Sequence, residues 1–390
     1  MVGLLIALAI TLLLLLALLG PAAFVLGAVL AAIPVPVYLW LALWIDRYEP
    51  EPRVLLVRAF LWGAGAAALI ALVLNSVGEL IIGSELGQDV GEIYGGSVSA
   101  PIVEETAKAA ALFGVYRWRR SELDGVLDGI VYAAMVGLGF ATTENILYYG
   151  NTAIEGDVSV GAVFVMRGIA SPFAHPVFTA MTGIGLGLAV TATTRGRRLV
   201  APPLGLLGAI LLHSAWNTSA ISGEAFVAVF VLVMFPVFVA LIVVSVGARR
   251  RDGRRVGAYL GPEVQAGVLS QEDLRALAST RGRARAVRAA RRSGGKAAAR
   301  ARRELHRTAT DLAFLRHRNA LGREDPRALP PAREEAELVA RLGRLTGRLP
   351  AAPAAPPPPA AGPPPNWYPD PSGRFRLRYW DGYAWTGWTA

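Results

Sequence analysis

Long apolar runs, separated by short polar stretches, occupy positions 1–248 of this chain of 390 residues. A helix needs about 20 apolar residues to cross the ~30 Å hydrocarbon layer of a bilayer. By that measure the pattern predicts eight spans, at 3–19, 22–45, 56–77, 100–116, 128–149, 172–193, 200–217 and 225–247. The predicted fold class is therefore an all-α polytopic membrane protein with about eight transmembrane helices.

The loops between these spans alternate in charge. Every second loop, together with the stretch after the last span, is rich in arginine, whereas the loops on the other side carry acids and only Arg167. Arginine-rich loops of membrane proteins stay in the cytoplasm. This bias predicts that both termini are cytoplasmic.

Composition changes after the last span. We expect a transmembrane domain at 1–248, a basic helical cytoplasmic segment rich in Arg and Ala at 249–349, and a semi-rigid linker, "PAAPAAPPPPAAGPPP", at 350–365. A Trp-rich module follows at 366–390. The turn signals "DPSG" and "DG" flank the alternating stretch "RFRLRYW", which predicts a small β meander.

The basic segment and the Trp-rich module indicate what they bind. Each Lys or Arg near the cytoplasmic leaflet gains about 1 kcal/mol from anionic lipid, and no base-reading element accompanies these arginines. We therefore expect contact with anionic lipid and no specific nucleic acid. The Trp-rich module is expected to dock a protein partner, the alternative being a marginally ordered tail.

The chain has no cysteine, which excludes disulfides, thiolate metal ligands and a cysteine nucleophile.

Ionisable residues inside the spans are candidates for function, because each costs at least about 2.5 kcal/mol near the centre of a spanning helix. Glu104 and Glu105 begin the fourth span, Glu144 lies near the end of the fifth, His175 opens the sixth and His213 lies near the end of the seventh. Since neighbouring spans run in opposite directions, the predicted topology places all five in the outer third of the bilayer. This convergence predicts a single site.

Residues four positions apart share a helix face. Lys108 can therefore pair with Glu104 on its own helix, which favours Glu105 as the freer carboxylate, or it can pair with Glu144 on the next span. By the same spacing Tyr148 follows Glu144, and Asn217 follows His213.

This set of side chains suits the activation of water. A carboxylate can accept the proton, and a metal ion, a protonated histidine or an asparagine amide can stabilise the oxyanion that forms. If the protein is a metalloenzyme, we expect Glu144, His175 and His213 to hold a single zinc ion. A metal-free mechanism needs no further residues, so the cofactor expectation is either none or one divalent metal.

Four stretches of the chain resemble the motifs of the PrsW family of intramembrane proteases. They are "EETAK" at 104–108, "ENILYY" at 144–149, "RGIASPFAHPVFT" at 167–179 and "HSAWN" at 213–217. The resemblance covers roughly residues 30–250 and extends more distantly to the superfamily of CAAX-processing prenyl endopeptidases. The tail, "WYPDPSGRFRLRYWDGYAWTGWT", resembles a short Trp-rich domain of unknown function.

The resemblance implies a peptidase in a bacterial cell membrane that cleaves a membrane-anchored protein. In the family this is site-1 cleavage of an anti-sigma factor on the extracytoplasmic side. The residues that match the family pattern, and are therefore expected to form the site, are Glu104, Glu105, Lys108, Glu144, Tyr148, Arg167, His175, His213 and Asn217. The alternative function is an ion- or proton-coupled transporter that uses the same intramembrane carboxylates.

Overall fold

The computed structural model describes residues 1–46, 50–119, 122–320, 322, 330–347, 366–380 and 385–390. The proline-rich linker expected at 350–365 lies outside these described residues. Within them the chain is mainly helical up to residue 347, and a small sheet forms its C-terminal end.

Six helical stretches among the described residues are long and apolar enough to cross a membrane: Val2–Ile45, Arg53–Leu86, Val126–Glu155, Val160–Val190, Arg195–Ile221 and Ala225–Tyr259. The predicted count of eight is not confirmed. The first two predicted spans lie in one stretch, which is broken at Gly20 by a positive φ of 73°. The predicted fourth span is a helix, Ala100–Trp118, but its four charged residues leave it outside the six.

The helices of the membrane part are α1 (Val2–Ala32), α2 (Val35–Ile45), α3 (Arg53–Leu61), α4 (Ala68–Leu86), α5 (Gln88–Tyr94), α6 (Ala100–Trp118), α7 (Val126–Glu155), α8 (Val160–Phe164), α9 (Ala174–Val190), α10 (Arg195–Ser222), α11 (Glu224–Val229) and α12 (Phe235–Tyr259). Short π-helical turns lie at Trp62–Ala67, Gly95–Ser99, Val165–Ala170 and Phe230–Met234. The most deeply buried of these helices, α7, packs against α1, α3 and α9.

Glycines let α7 and α9 approach closely, and this contact positions the polar residues. A Cβ added at Gly129 would lie 2.1 Å from the backbone oxygen of Gly183, which no side chain could tolerate. A Cβ at Gly137 would lie 2.8 Å from the backbone oxygen of His175. Small residues at such contacts are typical of membrane helix packing. The start of α9 is thereby held against α7, one and a half to two turns from Glu144.

The residues after the membrane part form helices α13 (Gly261–Gln265), α14 (Gln271–Leu277), α15 (Thr280–Ala320) and α16 (Pro331–Thr346). Although little of an apolar face is visible in the arginine-rich sequence, these helices and the end of α12 share a buried apolar core. Most of the α15 contribution comes from its second half, beyond a break at Gly294 and Gly295. The core residues include Val256, Leu260, Leu269, Leu277, Leu305, Leu312, Phe314 and Leu342.

The C-terminal sheet has three antiparallel strands in the order β1 (Asn366–Pro369), β2 (Leu377–Trp380) and β3 (Trp385–Thr389). Trp367 pairs with Tyr379, and Trp380 pairs with Trp385 across the next ladder. Asp370 caps the turn after β1, where its carboxylate accepts hydrogen bonds from the backbone of Ser372, Arg374 and Phe375. The predicted β meander is present.

Candidate functional site

The second and third turns of α6 carry three charged side chains, and all three are buried. The ammonium group of Lys108 donates to Glu104 Oε2 at 3.2 Å and to Glu105 Oε1 at 2.9 Å. Its third polar neighbour is Nδ1 of His175 on α9, at 2.9 Å. Lys108 also lies 3.7 Å from the ring centre of Phe140. Lys108 therefore connects both glutamates of its own helix to a histidine of another.

His175 links this lysine to a second pair of charges. Its Nε2 lies 2.7 Å from Oε2 of Glu144 on α7. Glu144 also forms an ion pair with Arg167, whose Nε donates to Asn145 Oδ1 at 2.8 Å. Arg167 follows α8 in a π-helical turn that packs on α7. The ion-pair partner of Glu144 is thus Arg167, whereas Lys108 forms its ion pairs with Glu104 and Glu105.

His213 on α10 completes the network. Its Nδ1 lies 3.1 Å from Glu105 Oε1, and its Nε2 lies 3.9 Å from Glu104 Oε2. The ring stacks on Phe178 with centroids 4.6 Å apart, and it meets the ring of His175 edge-on at 5.2 Å. The stack and the bond to Glu105 fix the orientation of this imidazole.

Seven of the nine expected residues therefore form one connected network drawn from α6, α7, α9, α10 and the turn after α8: Glu104, Glu105, Lys108, Glu144, Arg167, His175 and His213. Tyr148 lies at its edge, with its ring 3.8 Å from the Arg167 guanidinium. Asn217 lies apart, because its amide donates to the backbone oxygen of Gly96 at 2.9 Å. This bond ties α10 to the turn that precedes α6.

The two adjacent glutamates differ in how fully they are bonded. Both oxygens of Glu105 are engaged, since Lys108 and His213 contact Oε1 and the Thr179 hydroxyl donates to Oε2 at 3.1 Å. The oxygens of Glu104 are bonded more loosely, since Oε2 lies 3.2 Å from Lys108 and 3.9 Å from His213, and Oε1 accepts a long 3.4 Å bond from Asn75. The spacing argument favoured Glu105 as the freer carboxylate, whereas the geometry favours Glu104.

Three polar partners were not predicted from the sequence. Asn75 on α4 is an amide within an apolar stretch and could have been noticed as such. Thr179 lies one helical turn after His175 and so shares its face. Asn145 adjoins Glu144, but its neighbour Arg167 is 22 positions away, and no spacing signal relates the two.

A small cavity opens beside the network. It is lined by polar groups of Asn145, Arg167, Ser171 and His175, and by the apolar residues Ala141, Pro172, Ala174 and Trp216. A cavity with a few polar groups among apolar ones is typical of a binding site. Two of these polar residues, Arg167 and His175, contact Glu144.

The residues also bear on metal binding. Glu104, His175 and His213 offer donor atoms that all lie within 4.8 Å of one another. Two imidazoles and one carboxylate are a ligand set of catalytic zinc, so the donor types fit. The sequence predicted Glu144 as the carboxylate of this set, whereas the structure places Glu104 with the two histidines. The Lys108 ammonium contacts both Glu104 and His175 and would compete with a cation there.

Comparison with known proteins gives a consistent result. A sequence profile described as "PrsW family intramembrane metalloprotease" matches residues 51–242, which include all nine expected site residues. Protease PrsW of Clostridioides difficile (strain 630) is 30% identical over 192 residues, which are 48% of this chain and 76% of that relative. Protease PrsW of Geobacillus kaustophilus (strain HTA426) is 29% identical over 160 residues, or 39% of this chain and 61% of that relative. Protease PrsW of Bacillus subtilis (strain 168) is 28% identical over 172 residues, which are 44% of this chain and 72% of that relative.

The C-terminal module is similar to a different family. Residues 365–390 match a profile described as a protein of unknown function (DUF2510). No solved structure matches the chain.

Proposed function

This chain belongs to the PrsW family of intramembrane metalloproteases, and from that premise we propose that it hydrolyses a membrane-anchored protein near the outer leaflet with water activated by Glu104. Family membership makes the chain a peptidase of the membrane. The mechanism, the side of the membrane and the kind of substrate are our proposal.

The observation that supports Glu104 is the 3.9 Å distance between its Oε2 and Nε2 of His213. This distance is too long for a direct hydrogen bond, and one water molecule could bond to both atoms. In the tautomer that donates from Nδ1 to the Glu105 carboxylate, 3.1 Å away, Nε2 of His213 is an acceptor. A water between two acceptors directs both protons to them and keeps a lone pair for attack.

In the proposed reaction Glu104 accepts a proton from this water as the oxygen attacks the scissile carbonyl. The C–N bond then breaks as Glu104 returns this proton to the leaving amine, which releases a carboxyl group and a free amine. Glu105 holds His213 and Lys108 in place, and it does so with both oxygens already bonded. The oxyanion is stabilised from the neighbouring cavity by Arg167, whose guanidinium lines it together with His175. Preorganised charge of this kind is usually the largest contribution to catalysis. Asn217, bonded to Gly96, takes a structural role instead.

A divalent ion would be held by Glu104, His175 and His213. When bound, it would supply Lewis-acid chemistry and make a coordinated water more acidic. The roles given to Glu105, Arg167 and Asn217 are the same in either case.

We propose an anti-sigma-factor type of substrate, cut at a first site close to the outer surface. This rests on the resemblance of the four motifs and on the arginine distribution, which predicts that both termini are cytoplasmic. The transporter alternative has no support from the comparisons.

Two experiments test the side and the position of cleavage. Reporter fusions after residues 90 and 121 should report the outside and the cytoplasm respectively, and the reverse result would overturn the orientation.

Candidate single-span proteins co-expressed in bacterial membranes should yield new termini, mapped by mass spectrometry, in or next to the outer third of the span. Cleavage only on the cytoplasmic side would contradict the proposal.

The basic segment is proposed to contact anionic lipid of the inner leaflet. Exposed cations follow one another along the first part of α15, and no acid occurs between positions 280 and 303. The exposed residues are Arg281, Arg285, Arg288, Arg291, Arg292, Lys296, Arg300 and Arg303. Each is expected to contribute about 1 kcal/mol near an anionic surface. Vesicles with and without anionic lipid would distinguish this contact from a solvated helix.

A further inference from the structure

Three aromatic side chains form a row across one face of the C-terminal sheet, one from each strand. The ring of Trp367 on β1 lies 5.4 Å from that of Tyr379 on β2, and Tyr379 lies 5.6 Å from Trp388 on β3. Trp367 is 40% exposed and Trp388 67% exposed. Large aromatic residues held at the surface of a small sheet cost stability unless something covers them, so they mark a binding surface.

The two faces of the sheet differ in chemistry. On the opposite face Trp385 packs against Tyr368 and Trp380, and Arg378 forms an ion pair with Asp370. Side chains alternate between the two faces along a strand. Among the described strand residues, none of those on the face with the aromatic row is charged. Its members are Trp367, Pro369, Leu377, Tyr379, Thr386 and Trp388.

An uncharged row of aromatic rings suits a proline-rich ligand. Segments in the polyproline II conformation dock into grooves lined by aromatic side chains, and they lose little entropy on binding because they are already extended. Single-stranded nucleic acid also stacks on aromatic rings, but it needs a positively charged groove as well. The aromatic row lacks such charge, which favours the proline-rich ligand.

This chain carries a segment of the required chemistry directly before the sheet. Residues 350–365 contain nine prolines and no charged residue. Pro350, Pro353, Pro356 and Pro359 follow one another at intervals of three, the repeat of a polyproline II helix, so they would lie along one edge of it. The segment thus offers one continuous proline edge to a row of rings.

We propose that the face formed by Trp367, Tyr379 and Trp388 binds the proline-rich segment 350–365 of a second copy of this chain. The donor is a second copy because three consecutive prolines, 363–365, precede β1. Proline fixes φ and also restricts the residue before it, which disfavours the tight reversal that a segment would need in order to reach the sheet of its own copy. Two copies could then exchange segments reciprocally, as in a two-fold interface.

The first test is the binding of a labelled synthetic peptide of residues 350–362 to the full chain in lipid nanodiscs, followed by fluorescence anisotropy. Trp388→Ala and Tyr379→Ala should each weaken binding at least about tenfold, as expected for aromatic residues at the centre of an interface. Phe375→Ala is the matched control, because Phe375 is 50% exposed but lies outside the row, and it should change the affinity less than about twofold. Trp388→Phe should bind within about fivefold of the unchanged chain if the sheet is intact.

A peptide with the same composition but with the three-residue spacing of its prolines removed should bind at least about tenfold more weakly. Equal binding of the two peptides, equal losses in Trp388→Ala and Phe375→Ala, or no binding at all would overturn the proposal. Displacement of the peptide by a single-stranded oligonucleotide that binds with equal affinity would also overturn the proposal, in favour of nucleic acid.

The second test asks whether the donor is a second copy. Two differently tagged full chains are co-expressed and purified through one tag. Trp388→Ala paired with itself, and a chain with Ala at positions 350, 353, 356 and 359 paired with itself, should both lose co-purification. The mixed pair should recover it, since one chain supplies the face and the other the segment. Equal recovery of all pairs, or no association of the unchanged chains, would contradict the exchange between copies.

Discussion

Two charged networks in this molecule differ in how completely their members are bonded. In the helical segment after the membrane part, Arg316 donates two parallel hydrogen bonds of 2.7 Å to Glu263, a third to Glu335 at 2.7 Å and a fourth to the backbone oxygen of Tyr259 at 2.8 Å. In the membrane, Glu104 has contacts of 3.2, 3.4 and 3.9 Å, none of which is short.

The difference separates structure from reactivity. Arg316 has short hydrogen bonds to two carboxylates and one backbone oxygen, so the arrangement holds helices α13, α15 and α16 together. The membrane network holds three carboxylates, Glu104, Glu105 and Glu144, against the two cations Lys108 and Arg167, and two imidazoles contact members of both groups. A buried and incompletely bonded carboxylate is costly, and such groups are found where chemistry requires them.

The largest expected effect on stability is that of Arg316→Met. Removing one partner of a buried ion pair costs about 3–5 kcal/mol, because the other charge stays buried without a partner. Unfolding of the helical segment, followed by hydrogen exchange at α15 and α16, should shift by that amount. The control is Arg333→Met, which breaks an exposed pair with Glu337 and should cost less than about 1 kcal/mol. Equal effects of the two would remove the contrast between the networks.

The second prediction separates the two adjacent glutamates. Glu105→Gln should destabilise the protein by about 1.5–3 kcal/mol, since it removes the charge that Lys108, His213 and Thr179 contact. Glu104→Gln should cost less than about 1 kcal/mol, because Lys108 keeps Glu105. Thermal unfolding of both variants in the same detergent measures this. A larger loss for Glu104→Gln would show that the geometry assigns the two roles wrongly.

A third prediction concerns the cation at the centre of the network. Because the ammonium of Lys108 contacts Glu104 and His175, Lys108→Met should raise the affinity for zinc about tenfold, measured by equilibrium titration of the purified protein. Lys296→Met, which changes the exposed lysine of α15, is the control and should have no effect. Unchanged or weaker zinc binding in Lys108→Met would mean that the lysine does not compete for this position.

The smallest effect comes from a buried carboxyl group with no cation bonded to it among the described contacts. Burial, with the nearby carboxylates of Asp46, Glu122 and Asp124, raises the pKa of Glu51 to about 9, although the hydroxyl of Tyr132 donates to it at 2.5 Å. The raised pKa means that the folded state binds one more proton than the unfolded state between the unfolded pKa near 4.5 and about 9. Its contribution to stability is therefore complete below pH 4.5 and is lost as the pH rises towards 9.

Glu51→Gln should accordingly reduce the decline in unfolding temperature between pH 6 and pH 7, by an amount that corresponds to about 1.4 kcal/mol. Asp46 has a pKa raised by burial to about 7, so part of the decline should remain in the variant. Identical declines in the variant and the unchanged protein would show that Glu51 is not protonated at pH 6.

The sequence predicted which residues meet but not how they are bonded. The alternation of spans placed Glu104, Glu144, His175 and His213 at one depth, and the structure brings them into one network. The depth of a residue in the bilayer follows from its position within its apolar span, and the sequence shows that position. Hence the convergence of four helices was predictable.

The rotation of each helix about its axis was not predictable, because it depends on close contacts between distant residues. The approach of Gly129 to Gly183 helps to set how α9 faces α7, and so which carboxylate joins the two histidines. That carboxylate is Glu104, and not Glu144 as the sequence suggested. The hydrogen-bond partner of Asn217 was not predictable either, because Gly96 lies 121 positions away. The number of spans was also not confirmed, since the charges that form the site reduce the apolar character of α6.

The central claim is that Glu104 activates the water that cleaves the substrate. The measurement that tests it most directly is the cleavage rate of one membrane-anchored substrate by the purified protein in lipid vesicles, compared between the unchanged chain, Glu104→Gln and Glu85→Gln. Loss of a general base should slow cleavage about 10²–10⁴-fold in Glu104→Gln. Glu85→Gln, which changes an exposed carboxylate, should cleave at the unchanged rate. Cleavage by Glu104→Gln within about twofold of the unchanged chain would contradict the account.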